Sequence, residues 1–396
     1  MRCRTVGALL LGLLTVWMLL PGAGVAAGAA PPRLIGWGGN GEAIGDGTVT
    51  SKSLPTATDM SGALAGRIVT AVDVGGSGGT TCAVANGSAY CWGSSLYGLV
   101  GTPGGAVVRP QALPPGAMAG RTITAVSVGG HQACAVAAGR AYCWGDSNVG
   151  GLGNGVTRGG WVYQPVAVAT DGVLAGRTVT AISSGADHTC AAADGKAYCW
   201  GLNRDGQLGD GTTVNASKPV AVDASGALGG KRVTAVAAAQ DHTCAIADGG
   251  VYCWGRGGNG QIGDGTRTDR SRPVAVVGLP AGMGLLDTDR SRSCAATRGG
   301  VYCWGQGWSG GVNAQAGPLT AGSLAGRTIT ALDLGAHHAC AVAGGGVHCW
   351  GDWPWLGVGA TRAQPAPVAV TTGALAGRTA AGVAVGGGIT MVLTTG

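Results

Sequence analysis

The chain has 396 residues, a formal charge of +6, only 11% charged side chains, 80 glycines, 16 prolines and no phenylalanine. So small a charge, with no basic tract, argues against nucleic acid or an anionic membrane as the partner. The glycine content would suggest low complexity if it lacked a period, but a period is present, so the glycines read as turns.

The first element is a processing signal. Arg2 and Arg4 precede an apolar run over 6–20, Pro21 and Gly22 break it, and small residues follow through Ala30. Cleavage after Ala27 or Ala29 gives a signal peptide over 1–29 and a secreted single domain over 30–396. The run 6–20 is shorter than the ~20 residues a spanning helix needs, and no later segment is apolar and long enough to span. Cys3 leaves with the leader and lies too far from the cleavage zone to carry a lipid.

The remainder repeats. Trp-Gly recurs with Trp at 37, 92, 144, 200, 254, 304 and 350, in steps of 46 to 56 residues. The copy over 177–222 contains four short strand candidates, 179–183, 189–193, 197–200 and 219–222, each bounded by Gly, Asp or Asn. Four strands per period suit a propeller blade. The 3.6-residue apolar period of a helical solenoid is missing. Residues 35–38 align with 198–201, and 389–396 align with 188–195, so each terminus supplies part of one repeat. Six whole blades and a closing blade shared between about 33–57 and 378–396 make an all-β, seven-bladed ring of four-stranded antiparallel sheets. Closure removes exposed sheet edges.

Twelve cysteines fall into pairs nine residues apart: Cys82 and Cys91, Cys134 and Cys143, Cys190 and Cys199, Cys244 and Cys253, Cys294 and Cys303, Cys340 and Cys349. Between the members of each pair sits a dipeptide ending in Gly, such as Asn86-Gly87 or Asp194-Gly195, that favours a tight hairpin. Counting outward from that turn places each pair opposite at a non-hydrogen-bonded position, where Cα atoms lie ~4.5 Å apart and a disulfide fits. In the closing blade the two positions hold Met391 and Gly36, so both partners are missing together. His188, His242 and His338 each stand two residues before a cysteine. A zinc site on one hairpin would still need a fourth ligand, and the pairs 82/91 and 294/303 have no such histidine, so disulfides are the better reading.

At His-Thr-Cys-Ala (188–191), Tyr-Cys-Trp-Gly (198–201) and Gly-Gln-Leu-Gly-Asp-Gly-Thr (206–212), with a second good copy at 260–266, the chain resembles the regulator of chromosome condensation repeat family. The resemblance covers essentially all of 33–396 and is of the secreted bacterial type. It implies seven four-stranded blades, often with a last blade built from both termini, and protein binding by loops on one face. Nucleotide exchange on a cytosolic GTPase does not carry over to an exported, disulfide-rich chain, because fold does not fix function.

No cofactor or metal is expected. Gly-Asp-Gly-Thr turns at Asp46, Asp210 and Asp264 offer one carboxylate each, too few for calcium. Basic residues at Arg67, Arg121, Arg177, Arg232, Arg327 and Arg378 recur at one blade position and read as scaffold. Catalysis needs one asymmetric constellation, which repeated residues do not supply, so the chain reads as no enzyme. The residues that break the repeat are bulky groups in the loops after the blade tryptophans: Trp308, Trp353, Trp355, Tyr97, Trp161 and Tyr163, with Arg204 and Arg256 beside them. Aromatics and arginine dominate binding hot spots. The expectation is a monomeric secreted scaffold that binds an extracellular protein or cell-envelope component in the manner of an inhibitor. Carbohydrate or wall-polymer binding is the alternative, and a propeller lyase or hydrolase using His348 or Asp287 is the third reading.

Overall fold

The structure is a computed structural model that describes residues 33–395 except 40, 77, 78, 158, 309, 320, 321, 353, 360 and 361. The leader 1–29 and Trp353 lie outside the described residues. Seven four-stranded antiparallel sheets form the blades. Blades 1 to 6 span 69–112, 123–167, 179–221, 233–275, 285–318 and 329–370. Blade 7 combines Thr379–Gly386 and Ile389–Thr395 with Leu34–Gly38 and Lys52–Ala57. In blades 1 to 6 the first strand is innermost, and inner strands of neighbouring blades pack against one another around the whole circle, 379–386 against 69–74 included. Strand Leu34–Gly38 pairs with Ile389–Thr395, setting Gly36 opposite Met391, so the termini close the ring as the repeat predicts.

The second strands of blades 1 to 4 and 6 are buried along their length because they are covered on both faces by neighbouring blades, and small residues suit that space: His188–Ala193 reads HTCAAA, all buried. The two-residue hairpin turns place Asn86, Ala138, Asp194 and Asp248 at φ of 48 to 49°, followed by a glycine that tolerates the same region. The six cysteine pairs are bonded, with Cα atoms 4.0 to 4.1 Å apart. Each bridge ties the second strand to the third, and all are fully buried but for the half-buried Cys303.

Blades are joined through the repeated tryptophan. The indole N–H of Trp92, Trp144, Trp200, Trp254 and Trp304 donates to a carbonyl in the preceding blade's outer loop, of Ala43, Leu99, Gly151, Gln207 and Gln261, at 2.8 to 3.0 Å. The loop glycine must pass directly over the ring. A Cβ on Gly209, at φ +70°, would sit 2.6 Å from Trp254 Nε1, which explains the glycine before Asp210. Asp210 then closes its own turn by accepting from the Thr212 N–H and hydroxyl, as Asp46 does from Thr48 and Asp264 from Thr266.

The histidines ahead of the cysteines also bridge blades. His188 Nε2 meets Thr243 Oγ1 at 2.8 Å, His242 meets Ser293 at 2.8 Å and His338 meets Thr390 at 2.6 Å. Thr243 and Ser293 spend their protons on Gln207 and Gln261 carbonyls, so their imidazoles donate. The recurring arginines are scaffold too: Arg67, Arg121 and Arg177 lie 5.3 to 5.9 Å over Tyr90, Tyr142 and Tyr198. In blade 4 this place belongs to Lys231, over Tyr252, and not to Arg232, which stands one residue later than the recurring arginines.

Candidate functional site

In a four-stranded antiparallel blade, the loop between strands one and two and the loop between strands three and four emerge at the same end. All candidate loop residues therefore share one face, and that face surrounds the mouth of the central channel. A cavity of about 430 Å³ opens there. A smaller cavity of about 90 Å³ adjoins it, sharing Asp73, Ser127, Ser183, Asp287 and Asp333 with it and lined otherwise by small and aliphatic groups such as Ala71, Ala125, Ile182, Val236 and Leu332.

The inner strands place one equivalent residue from each blade along the channel, opposite the second-strand cysteine: Asp73, Ser127, Ser183, Ala237, Asp287, Asp333 and, opposite Met391, Ala384. Five of them accept a backbone N–H from the next blade. Val128 donates to Asp73 at 2.7 Å, Ser184 to Ser127 at 3.0 Å and Ala238 to Ser183 at 2.9 Å. Leu334 donates to Asp287 at 2.6 Å and Val385 to Asp333 at 2.9 Å. The column thus stitches the ring and also gives the channel an acidic wall on blades 5, 6 and 1 facing hydroxyls on blades 2 and 3.

Burial pushes the carboxyls up. Asp73 and Asp289 rise to about 6 and Asp287 to about 8, with Asp73 and Asp289 adding repulsion on Asp287; Asp333 is raised for the same reasons. Burial pushes the bridging histidines down, His188 to about 4 and His242 and His338 to about 3. The two sets act in opposite directions on stability. Below pH 6.5 the unfolded chain protonates histidines that the folded chain keeps neutral, so that contribution falls with falling pH. Above pH 3.8 the unfolded chain ionises aspartates that the folded chain keeps protonated, so that contribution falls with rising pH, through about 6 for Asp73 and Asp289 and about 8 for Asp287. Asp287→Asn keeps an acceptor for the Leu334 N–H. It should therefore match the parent near pH 4 and exceed it at pH 8 by on the order of 2–4 kcal/mol. Chemical denaturation at the two pH values checks this; an equal difference at both contradicts it.

On the rim, His131 Nδ1 meets Asp187 Oδ1 at 2.6 Å, and this hydrogen bond raises the imidazole's pKa. The Tyr97 ring lies 4.3 Å from the His131 ring, and Trp161 stands edge-on to Tyr97 at 6.0 Å. Trp161 remains 48% exposed. Around the rim, Arg204 and Arg256 each reach Asp241 at 3.4 Å, and Arg204 also holds Asp205 at 3.1 Å. The structure thus brings together Tyr97 with Trp161, and Arg204 with Arg256. Tyr163 joins the first group, since it and Trp161 both lie against Gly98, the residue after Tyr97. Trp308 folds onto Trp350, ring centres 6.1 Å apart, with the Arg292 guanidinium 4.7 Å from its ring, and its Nε1 is buried. Tyr163 is half-buried against Gly98, and Trp355 is half-buried. His348 belongs to a third strand, its Nδ1 2.6 Å from Ser323 Oγ, whereas Asp287 faces the channel, so the two are not assembled into one site. Sequence reasoning passed over His131, Asp187 and Asp241; their signal is the residues just before the second strand, where the repeat varies.

The Regulator of chromosome condensation (RCC1) repeat matches residues 138–192, 194–246 and 248–283, and a second form of it matches 179–207 and 233–261. Residues 138–283 thus carry repeats of the regulator of chromosome condensation family. The ultraviolet-B receptor UVR8 of Arabidopsis thaliana is similar, 33% identical over 200 residues that make up 49% of this chain and 43% of that protein. The human E3 ubiquitin-protein ligase HERC2 is 31% identical over 220 residues, 54% of this chain and 4% of HERC2. The matched region thus spans less than half the length of either relative. Among solved structures, human WBSCR16 superposes with a TM-score of 0.79 at 19% identity, over 92% of this chain and 99% of that one. Prp20p from Saccharomyces cerevisiae, studied for its binding to Gsp1p and histones, superposes with a TM-score of 0.75 at 18% identity, over 92% and 91%. At these identities the likeness is one of fold.

Proposed function

We propose that this chain is a secreted, monomeric binding scaffold that recognises an extracellular protein or cell-envelope component through the loop face at the channel mouth. The observation that carries the reading is the rim itself, where exposed Trp161 is braced by Tyr97 and His131, and two half-exposed arginines are held on one carboxylate. Braced aromatics and arginines lose little freedom on binding, which is what hot-spot residues require. The leader-like start and six disulfides support export. Relatives of this fold whose names describe a ligase and a receptor support a scaffold put to different uses.

The test is capture of binding proteins from culture supernatant, identified by mass spectrometry, with Trp161→Ala, Arg204→Ala and Arg256→Ala. Each change should weaken capture at least about tenfold, a loss of ~1.4 kcal/mol or more, while leaving the melting temperature unchanged. Undiminished capture by the triple variant contradicts the reading. Binding of purified wall polymer in the absence of any protein partner replaces it with the sugar reading.

A further inference from the structure

We propose that the cavity at the channel mouth is a socket for one guanidinium side chain, an arginine that a partner protein inserts along the propeller axis. This deepens the proposed binding function and rests on it.

Three observations converge. The cavity, about 430 Å³, falls in the ~300–1,000 Å³ range of built ligand pockets. One wall carries Asp73, Asp287, Asp289 and Asp333, each lining the opening. Among the described residues, two hydroxyls of residues that line the same cavity have no hydrogen-bond partner although the residues are almost wholly buried: Ser184 Oγ, 7% exposed, and Thr288 Oγ1, 6% exposed; Asp289 Oδ2 is buried and lacks one as well. Buried polar atoms without partners are uncommon in folded proteins and call for an explanation. A bound donor supplies one.

The geometry selects the donor. Among the described residues, no three His, Cys, Asp or Glu groups converge closely enough to hold a metal ion. The acceptors are instead spread across the mouth, from Ser184 on blade 3 to Thr288 and Asp289 on blade 5. A planar cation with five N–H donors can reach several such acceptors at once, where a compact ammonium would satisfy fewer. Arg204 and Arg290 also line the opening. Arg204 is engaged by Asp205 and Asp241, so its charge is already countered, and Arg290 leaves Asp73, Asp287 and Asp333 without a basic partner in contact. Beyond the shared acids and serines the adjoining smaller cavity offers only small and aliphatic groups such as Ala71, Ala125 and Ile182.

The probe is Nα-acetyl-arginine methylamide, with the isosteric Nα-acetyl-citrulline methylamide as its neutral counterpart, titrated into the full chain and followed by backbone amide shifts. Saturable binding with a Kd of about 1 mM is expected, with shifts centred on Ser127, Ser184 and Thr288 and at least about tenfold weaker binding of citrulline. Asp289→Asn and Asp287→Asn should each weaken arginine at least about fivefold, about 1 kcal/mol. No saturation, or equal binding of citrulline, overturns the proposal, and the citrulline arm stands even where a variant fails to fold. If arginine does not bind but capture of partners still depends on Trp161 and Arg204, the socket is wrong and the binding face survives. If arginine binds and capture ignores the rim, the reverse holds.

Discussion

Replacing Gly36 and Met391 together by cysteine should create a seventh disulfide that closes the ring covalently. The two Cα atoms are register partners on Leu34–Gly38 and Ile389–Thr395, in the same row as the six bonded pairs. A Cβ added to Gly36 alone would run into Met391 Sδ, so the single change is crowded, whereas the paired exchange removes the obstructing thioether. Linking positions 36 and 391 closes a loop of nearly the whole chain. On the chain-entropy argument this stabilises by ~4–5 kcal/mol, the upper end of what disulfides give, and raises the melting temperature by roughly 5–7 °C for a domain of this size. Loss of both free thiols under air, with faster migration on a non-reducing gel, is the expected readout. Thiols that stay free in the folded variant would mean the terminal strands do not pair.

The second large effect is Trp254→Ala. Trp254 is fully buried between blades 3 and 4, and it donates to the Gln207 carbonyl at 2.9 Å while Gly209 passes over its ring. Removal of the indole should cost ~3–5 kcal/mol, because the glycine loop that fits the ring cannot collapse into the space. Trp254→Phe keeps most of the apolar contact and loses the hydrogen bond, so ~1–2 kcal/mol is expected. Trp350 offers a control, since its buried Nε1 has no acceptor among the described residues; Trp350→Phe should cost less than Trp254→Phe. Urea denaturation of the four proteins decides the matter, and equal costs for the two phenylalanine variants would show that the clamp is packing alone.

Ring closure and the disulfide row were legible because both follow from a period: two-residue turns fix hairpin register, and register fixes which cysteines face each other. The binding face was legible only in part. Trp161 and Trp308 look alike as loop aromatics, yet their fates differ with loop length. Only residues 307–311 separate the third and fourth strands of blade 5, which leaves Trp308 room to do little but lie on Trp350. In blade 2 the corresponding connection runs from 147 to 160 and sets Trp161 out on the rim. The acidic wall was hidden for another reason. Asp73, Asp287 and Asp333 occupy a repeat column shared with Ser127 and Ser183, so each looks like a structural residue, which it also is. Only the circular arrangement shows that blades 5, 6 and 1 bring the three carboxyls to one side of one opening. Lys231, not Arg232, is the ungapped counterpart of Arg177, since 228–233 matches 174–179 residue for residue in position.

Blocking each end of the ring in turn tests the binding face most directly. Val214, 71% exposed in the outer loop of blade 3, lies on the channel-mouth face, while Lys196, exposed beside the hairpin turn of the same blade, lies at the opposite end. Each is replaced by cysteine and capped with a bulky maleimide, and partner capture is measured before and after capping. Capping at Val214→Cys should abolish capture and capping at Lys196→Cys should leave it intact. The opposite pattern, or indifference to both, would contradict a partner seated on the mouth of the channel.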